Sequence, residues 1–84
     1  MTNNELIKKK IIYRSIHRGS KEMDLLLGSF TKKYINKFNE DDLKDLDNLL
    51  LIDDDILYKW YFENNSSKTI PTTKVSLMLK DFKL

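Results

Sequence analysis

Residues 19–38 read GSKEMDLLLGSFTKKYINKF. Apolar side chains stand at Met23, Leu26, Leu27, Phe30, Tyr34, Ile35 and Phe38, the three-and-four spacing of one helix face. Ser20 precedes the pattern, and its hydroxyl suits the free N–H groups of a first turn. The spacing predicts a helix from Ser20 to about Phe38. Gly28-Ser29 falls inside it, where a bend is expected. Gly19 stands just before the cap. Glycine past a helix end commonly takes the left-handed conformation that other residues avoid. Gly19 is therefore expected to close an earlier helix in that conformation.

That earlier helix lies over residues 4–17. Leu6, Ile7, Ile11 and Ile16 recur at helical spacing, and Lys8, Lys9 and Arg14 are left for water. Asn3 or Asn4 is the expected cap. Arg18 suits the negative end of the helix dipole. Downstream, Asn39 followed by Glu40, Asp41 and Asp42 announces a third helix with an apolar face of Leu43, Leu46, Leu49 and Leu50. Asp53 is the expected cap of a fourth helix through about Glu63, with Ile56, Leu57, Trp60 and Tyr61 turned inward. The segment NNSSKTIPTT, residues 64–73, reads as a polar loop holding the chain's one proline. Val75, Met78, Leu79 and Phe82 are periodic in a last helix. No segment alternates long enough to compete as a strand. The expected fold is all-α: one domain over residues 1–84, a monomeric compact bundle of five short helices with Trp60 in its core.

The composition narrows the function. At 84 residues the chain has little room for both a core and an enclosed substrate pocket. With 40% hydrophobic and 33% charged residues it suits a globular domain. It has no cysteine, which removes disulfides, thiolate nucleophiles and cysteine metal sites, and favours a reducing compartment. No apolar run approaches a membrane span of roughly 20 residues, so no stable membrane insertion is expected. No signal peptide is visible.

The net charge of +2 hides an asymmetry. Residues 1–21 carry six basic side chains against Glu5, and residues 39–55 carry eight acidic ones against Lys44. The acidic segment would repel phosphate. The basic stretch Lys8, Lys9, Lys10, Tyr13, Arg14 and Arg18 nevertheless keeps an alternative open, a small basic helical regulator binding nucleic acid through residues 5–21.

Catalytic and metal readings find little. His17 is the only histidine, so neither a dyad nor a zinc set can form around it. It reads as a polar residue at a helix end. Asp53-Asp54-Asp55 fails as a calcium loop: counting from Asp53, the sixth position is Tyr58 rather than glycine and the twelfth is Asn64 rather than glutamate. No catalytic residue, bound metal or cofactor of its own is expected, so an enzyme is not. The joint Arg18-Gly19-Ser20-Lys21-Glu22 has a simple account as a turn, with Arg18 and Glu22 pairing across it.

Two blocks carry a resemblance. HRGSKEMDLLLGSF resembles the Arg-Gly-x-x-Glu signature of the succinate dehydrogenase assembly factor 2 family, the flavinator proteins of bacteria and mitochondria. Arg18, Gly19, Glu22 and Asp24 match its Arg-Gly-Met-x-Glu-x-Asp form, with Ser20 in place of the methionine. LLLIDDDILYKW resembles the family's leucine pair, acidic turn and tryptophan through Leu49, Leu50, Asp53, Asp54, Leu57 and Trp60. The C-terminal segment matches only in helical character. The resemblance implies a non-enzymatic helper that binds the flavoprotein subunit of succinate dehydrogenase, in some bacteria fumarate reductase, and promotes covalent attachment of FAD to a histidine of that subunit. It implies Arg18, Gly19, Glu22 and Asp24 as the partner-binding residues. It also implies a bacterial cytoplasmic location, or the mitochondrial matrix in a eukaryote.

Overall fold

A computed structural model describes residues 3–84. Five α-helices account for its regular structure: α1 Asn3–Ile16, α2 Lys21–Tyr34, α3 Glu40–Leu50, α4 Asp54–Phe62 and α5 Lys74–Asp81. There is no strand among the described residues. The fold is all-α, as expected.

The helix starts follow local chemistry. Ser20 accepts the Met23 N–H at 3.2 Å and opens α2. Asn39 opens α3 in a reciprocal box: it accepts the Asp42 N–H at 2.8 Å while Asp42 accepts the Asn39 N–H at 3.3 Å. Thr73 and Ser76 do the same for α5. Asp53 stands at the start of α4 but makes no capping bond. Asn3 and Asn4 lie inside α1 rather than ahead of it; residues 1 and 2 are outside the described range.

The core is built by α2 and α3. Met23, Leu26, Leu27 and Phe30 meet Leu43, Leu46, Leu49 and Leu50, joined by Ile11 of α1, Leu57 of α4 and Val75 and Leu79 of α5. Each such side chain contributes about 1.5–3 kcal/mol by leaving water. Phe30 is the aromatic centre, with the rings of Tyr34, Phe38 and Phe82 5.1, 6.2 and 5.5 Å away.

Four expectations change. α2 stops at Tyr34 and passes into a single 3-10 turn, Ile35–Lys37, which still buries Ile35. It runs unbroken through Gly28, whose role is close approach: a Cβ there would lie 3.0 Å from the Ile16 side chain of α1. Only Ile11 and Ser15 of α1 are buried, whereas Leu6 and Ile16 are about half exposed, at 53% and 48%. Trp60 is half-buried against the rim of the core, with the Lys80 ammonium 4.9 Å from its ring. Among the described residues no helix is long and apolar enough to cross a membrane.

Candidate functional site

The joint between α1 and α2 is held by an arginine that reaches across the molecule. The side chain of Arg18 is only 9% exposed. Its Nε and Nη2 lie 2.6 Å from Asp54 Oδ1 at the start of α4. Nη1 donates to the Leu50 carbonyl, and Nη2 to the Ile52 carbonyl at 3.0 Å. One guanidinium thus ties the first joint to the turn between α3 and α4. Arginine suits this work because its planar fork serves several acceptors at once.

The neighbours complete the clamp. Gly19 donates its N–H to Asp54 Oδ2 at 2.6 Å, so both carboxylate oxygens of Asp54 are engaged from one joint. Asp24, one turn into α2, accepts the Arg18 backbone N–H at 2.6 Å. Gly19 does not take the left-handed conformation, since no glycine among the described residues has positive φ. Its lack of a side chain matters for another reason: a Cβ there would lie 3.3 Å from Asp54 Oδ2, tighter than ordinary contact. The left-handed residue that closes a helix is instead Asn64, after α4, with φ 57°. α1 ends with side-chain help. His17 Nδ1 lies 2.8 Å from the Tyr13 carbonyl, which only accepts, so Nδ1 carries the proton.

The four predicted site residues therefore divide. Arg18 and Asp24 are engaged inside the molecule. Gly19 and Glu22 are exposed. Glu22 forms no hydrogen bond or ion pair with the described residues, and Arg18 turns to Asp54 rather than to it. Glu22 borders an open hollow of about 380 Å³ with Gly19, Ser20, Met23, Asp55 and Tyr58. Tyr58 is partly exposed and lies 4.8 Å, ring to ring, from Phe62. Asp54 and Tyr58 are the additions to the predicted set. Asp54 belongs to the second sequence block, and the joint occurrence of the two blocks was the one signal that they meet.

The charge asymmetry is also internal. Asp47 of α3 receives Arg14 at 2.6 Å and Lys10 at 4.0 Å, and Asp54 receives Arg18. The basic and acidic segments face each other, so much of the positive field of residues 5–21 is neutralised at home. No group of three or more His, Cys, Asp or Glu residues suited to a metal occurs among the described residues. His17 is exposed and stacks on Tyr13 at 3.9 Å.

Comparison with known proteins gives a consistent result. A succinate dehydrogenase assembly factor 2 of mitochondria from Saccharomyces cerevisiae is 38% identical over 87 aligned positions, covering 96% of this chain and 54% of that protein. The Schizosaccharomyces japonicus protein of the same name is 37% identical, covering 93% of this chain and 55% of its own length. The Dictyostelium discoideum one is 41% identical over 69% of this chain and 45% of its own. The chain spans about half the length of these curated relatives. No solved structure matches it. The family model described as flavinator of succinate dehydrogenase matches residues 9–83, and this chain, with its clamped Arg-Gly joint and free Glu22, belongs to that family.

Proposed function

We propose that this protein is an assembly helper that binds the flavoprotein subunit of succinate dehydrogenase, or of fumarate reductase, and promotes covalent attachment of FAD to a histidine of that subunit. The observation that carries the reading is family membership over residues 9–83. Glu22, exposed and without a hydrogen bond or ion pair among the described residues, lies on the rim of one hollow with the exposed Gly19, which is consistent with a contact there. Glu22 and Gly19 meet the client directly, and Arg18 and Asp24 hold that surface in shape from beneath. The FAD belongs to the client, and the helper brings no cofactor, metal or acid–base group. His17 takes no part in the chemistry.

The physical work is selection of geometry. Covalent flavinylation requires the flavin and the receiving histidine in near-attack contact. A binder that favours the competent conformer raises its population by the ratio of its affinities for the two conformers. A hundredfold preference corresponds to about 2.7 kcal/mol. An acidic side chain meeting a desolvated cation of the client can supply such a preference, since charge pairs of this kind couple by about 1.5–7 kcal/mol.

The nucleic-acid alternative loses ground because Lys10, Arg14 and Arg18 are already engaged by Asp47 and Asp54. Duplex titration at two salt concentrations separates the readings, since phosphate binding weakens steeply with salt. The direct test mixes purified flavin-free flavoprotein subunit with FAD, with and without this protein, and follows covalent flavin by fluorescence of the denatured band. Faster flavinylation in its presence is expected. An unchanged rate refutes the proposal.

A further inference from the structure

Helix α1 carries a second apolar face, turned away from the core. Its Ile11 and Ser15 are buried where it packs on α2 and α3. On the outward side Leu6, Ile12, Tyr13 and Ile16 are exposed, at 53%, 43%, 62% and 48%. Leu6, Ile12 and Tyr13 stand three or four residues from Lys9, so they border that exposed side chain on the helix surface. Ile16 continues the stripe one turn beyond Ile12. Ile12 and Ile16 also line a hollow of about 290 Å³ with Gly28, Ile35 and Lys32, which widens the apolar area toward α2.

The charges around this face are basic. Helix α1 has Lys8, Lys9, Lys10 and Arg14 against the single acid Glu5. Asp47 of α3 takes Arg14 and Lys10, so α3 and its acids meet α1 from the side of those two residues. Lys8 donates to the neutral Asn36 side chain at 3.3 Å and keeps its charge. Lys9 and Lys32 are exposed. The outward side of α1 thus joins four apolar side chains to three lysines, and the Glu22 hollow is no part of it.

We infer that the outward face of α1 adsorbs reversibly to an anionic lipid surface. Leu6, Ile12, Tyr13 and Ile16 enter the boundary of the acyl region, and Lys8, Lys9 and Lys32 meet the headgroups. The pattern of the face selects this occupant. Lys9 sits amid the apolar side chains, and lysine is depleted from the cores of protein interfaces. At a lipid surface the same arrangement is favourable, because the lysine stem lies along the apolar region while its ammonium reaches the headgroups. A second copy meeting this face across a two-fold axis would set lysine against lysine. A nucleic-acid duplex would attract the lysines and leave the apolar side chains uncovered. No helix among the described residues is long and apolar enough to cross a membrane, so α1 lies in the plane of the surface.

The test sediments the protein with phosphatidylcholine vesicles, with and without phosphatidylglycerol, at low and high salt, beside thermal unfolding of each variant. The parent protein is expected to sediment with the phosphatidylglycerol vesicles and to be released by salt. Leu6→Ala, Tyr13→Ala and Lys9→Gln should each weaken that binding about fivefold or more and unfold as the parent does. Leu77→Ala is the control, since Leu77 is 55% exposed on α5, and it should bind as the parent does. A parent protein that stays in the supernatant with both kinds of vesicle overturns the inference, as does equal binding by all variants. If the Leu6 and Tyr13 variants instead lose the flavoprotein subunit while the parent ignores vesicles, the face docks protein and the lipid inference falls, with the flavoprotein reading intact. Should the variants unfold, hydrogen exchange of the unaltered protein on vesicles decides. Slowed exchange within residues 3–16 and not within 40–62 supports the inference, and unchanged exchange in α1 overturns it.

Discussion

Replacing Arg18 by alanine tests the clamp most directly. The substitution removes a guanidinium that is 9% exposed and leaves Asp54, the Leu50 carbonyl and the Ile52 carbonyl without their partner. Removing one partner of a buried ion pair costs about 3–5 kcal/mol. The Asp54 side chain is 25% exposed, so water softens its loss and the lower end of that range applies, about 3 kcal/mol. A domain of this length holds a total of about 4–13 kcal/mol. The variant should therefore lose a large share of its stability, with Tm lower by roughly 12–24 °C. Arg18→Lys keeps the charge but not the fork, and should fall between the two. The assay is thermal and urea unfolding followed by helical circular dichroism, with Asp54→Asn and the double variant completing a cycle. A coupling well above the 0.3–0.5 kcal/mol (about the noise of additive, distant sites) is expected. If Arg18→Ala unfolds at the parent temperature, the clamp carries no load, and Arg18 must be reassigned to the client surface.

Four further outcomes are expected. Phe30→Ala, at a fully buried centre, should cost about 3–5 kcal/mol, while Trp60→Ala at the half-buried rim should cost less, about 1.5–3 kcal/mol; equal unfolding midpoints would contradict the placement of the core. Glu22→Ala should leave folding within about 0.5 kcal/mol, since it loses no internal partner, and still weaken binding to the flavoprotein subunit. Gly19→Ala should lower stability modestly, because its Cβ crowds Asp54 Oδ2 and not because of backbone strain, and should lower affinity more. Normal binding by both folded variants would remove Gly19 and Glu22 from the docking surface. His17→Ala should still support flavinylation of the subunit at saturating concentration, and complete loss with the fold retained would give His17 a chemical role.

Much of the fold was legible locally. The caps Ser20 and Asn39, and the apolar faces of α2 and α3, are set by neighbours within one or two turns, and the structure keeps them. α1 was legible as a helix but not in its orientation. Its isoleucines are distributed around it, so only contact with α2 and α3 decides that Ile11 is covered and that Leu6 and Ile16 remain open. The membership of Arg18, Gly19, Glu22 and Asp24 in one motif was also visible in the chain, as was the acidic turn at Asp53-Asp54. The division of labour within the motif was not. A local reading pairs Arg18 with Glu22, four residues away, because helical geometry makes that pair easy. The folded chain instead brings Asp54, 36 residues away, against the guanidinium. There it meets both the arginine and the Gly19 N–H. An ion pair that also satisfies two backbone carbonyls in a site shielded from water outweighs an exposed pair on a helix surface. That choice depends on how α1, α3 and α4 converge, and it is why only the tertiary structure leaves Glu22 free.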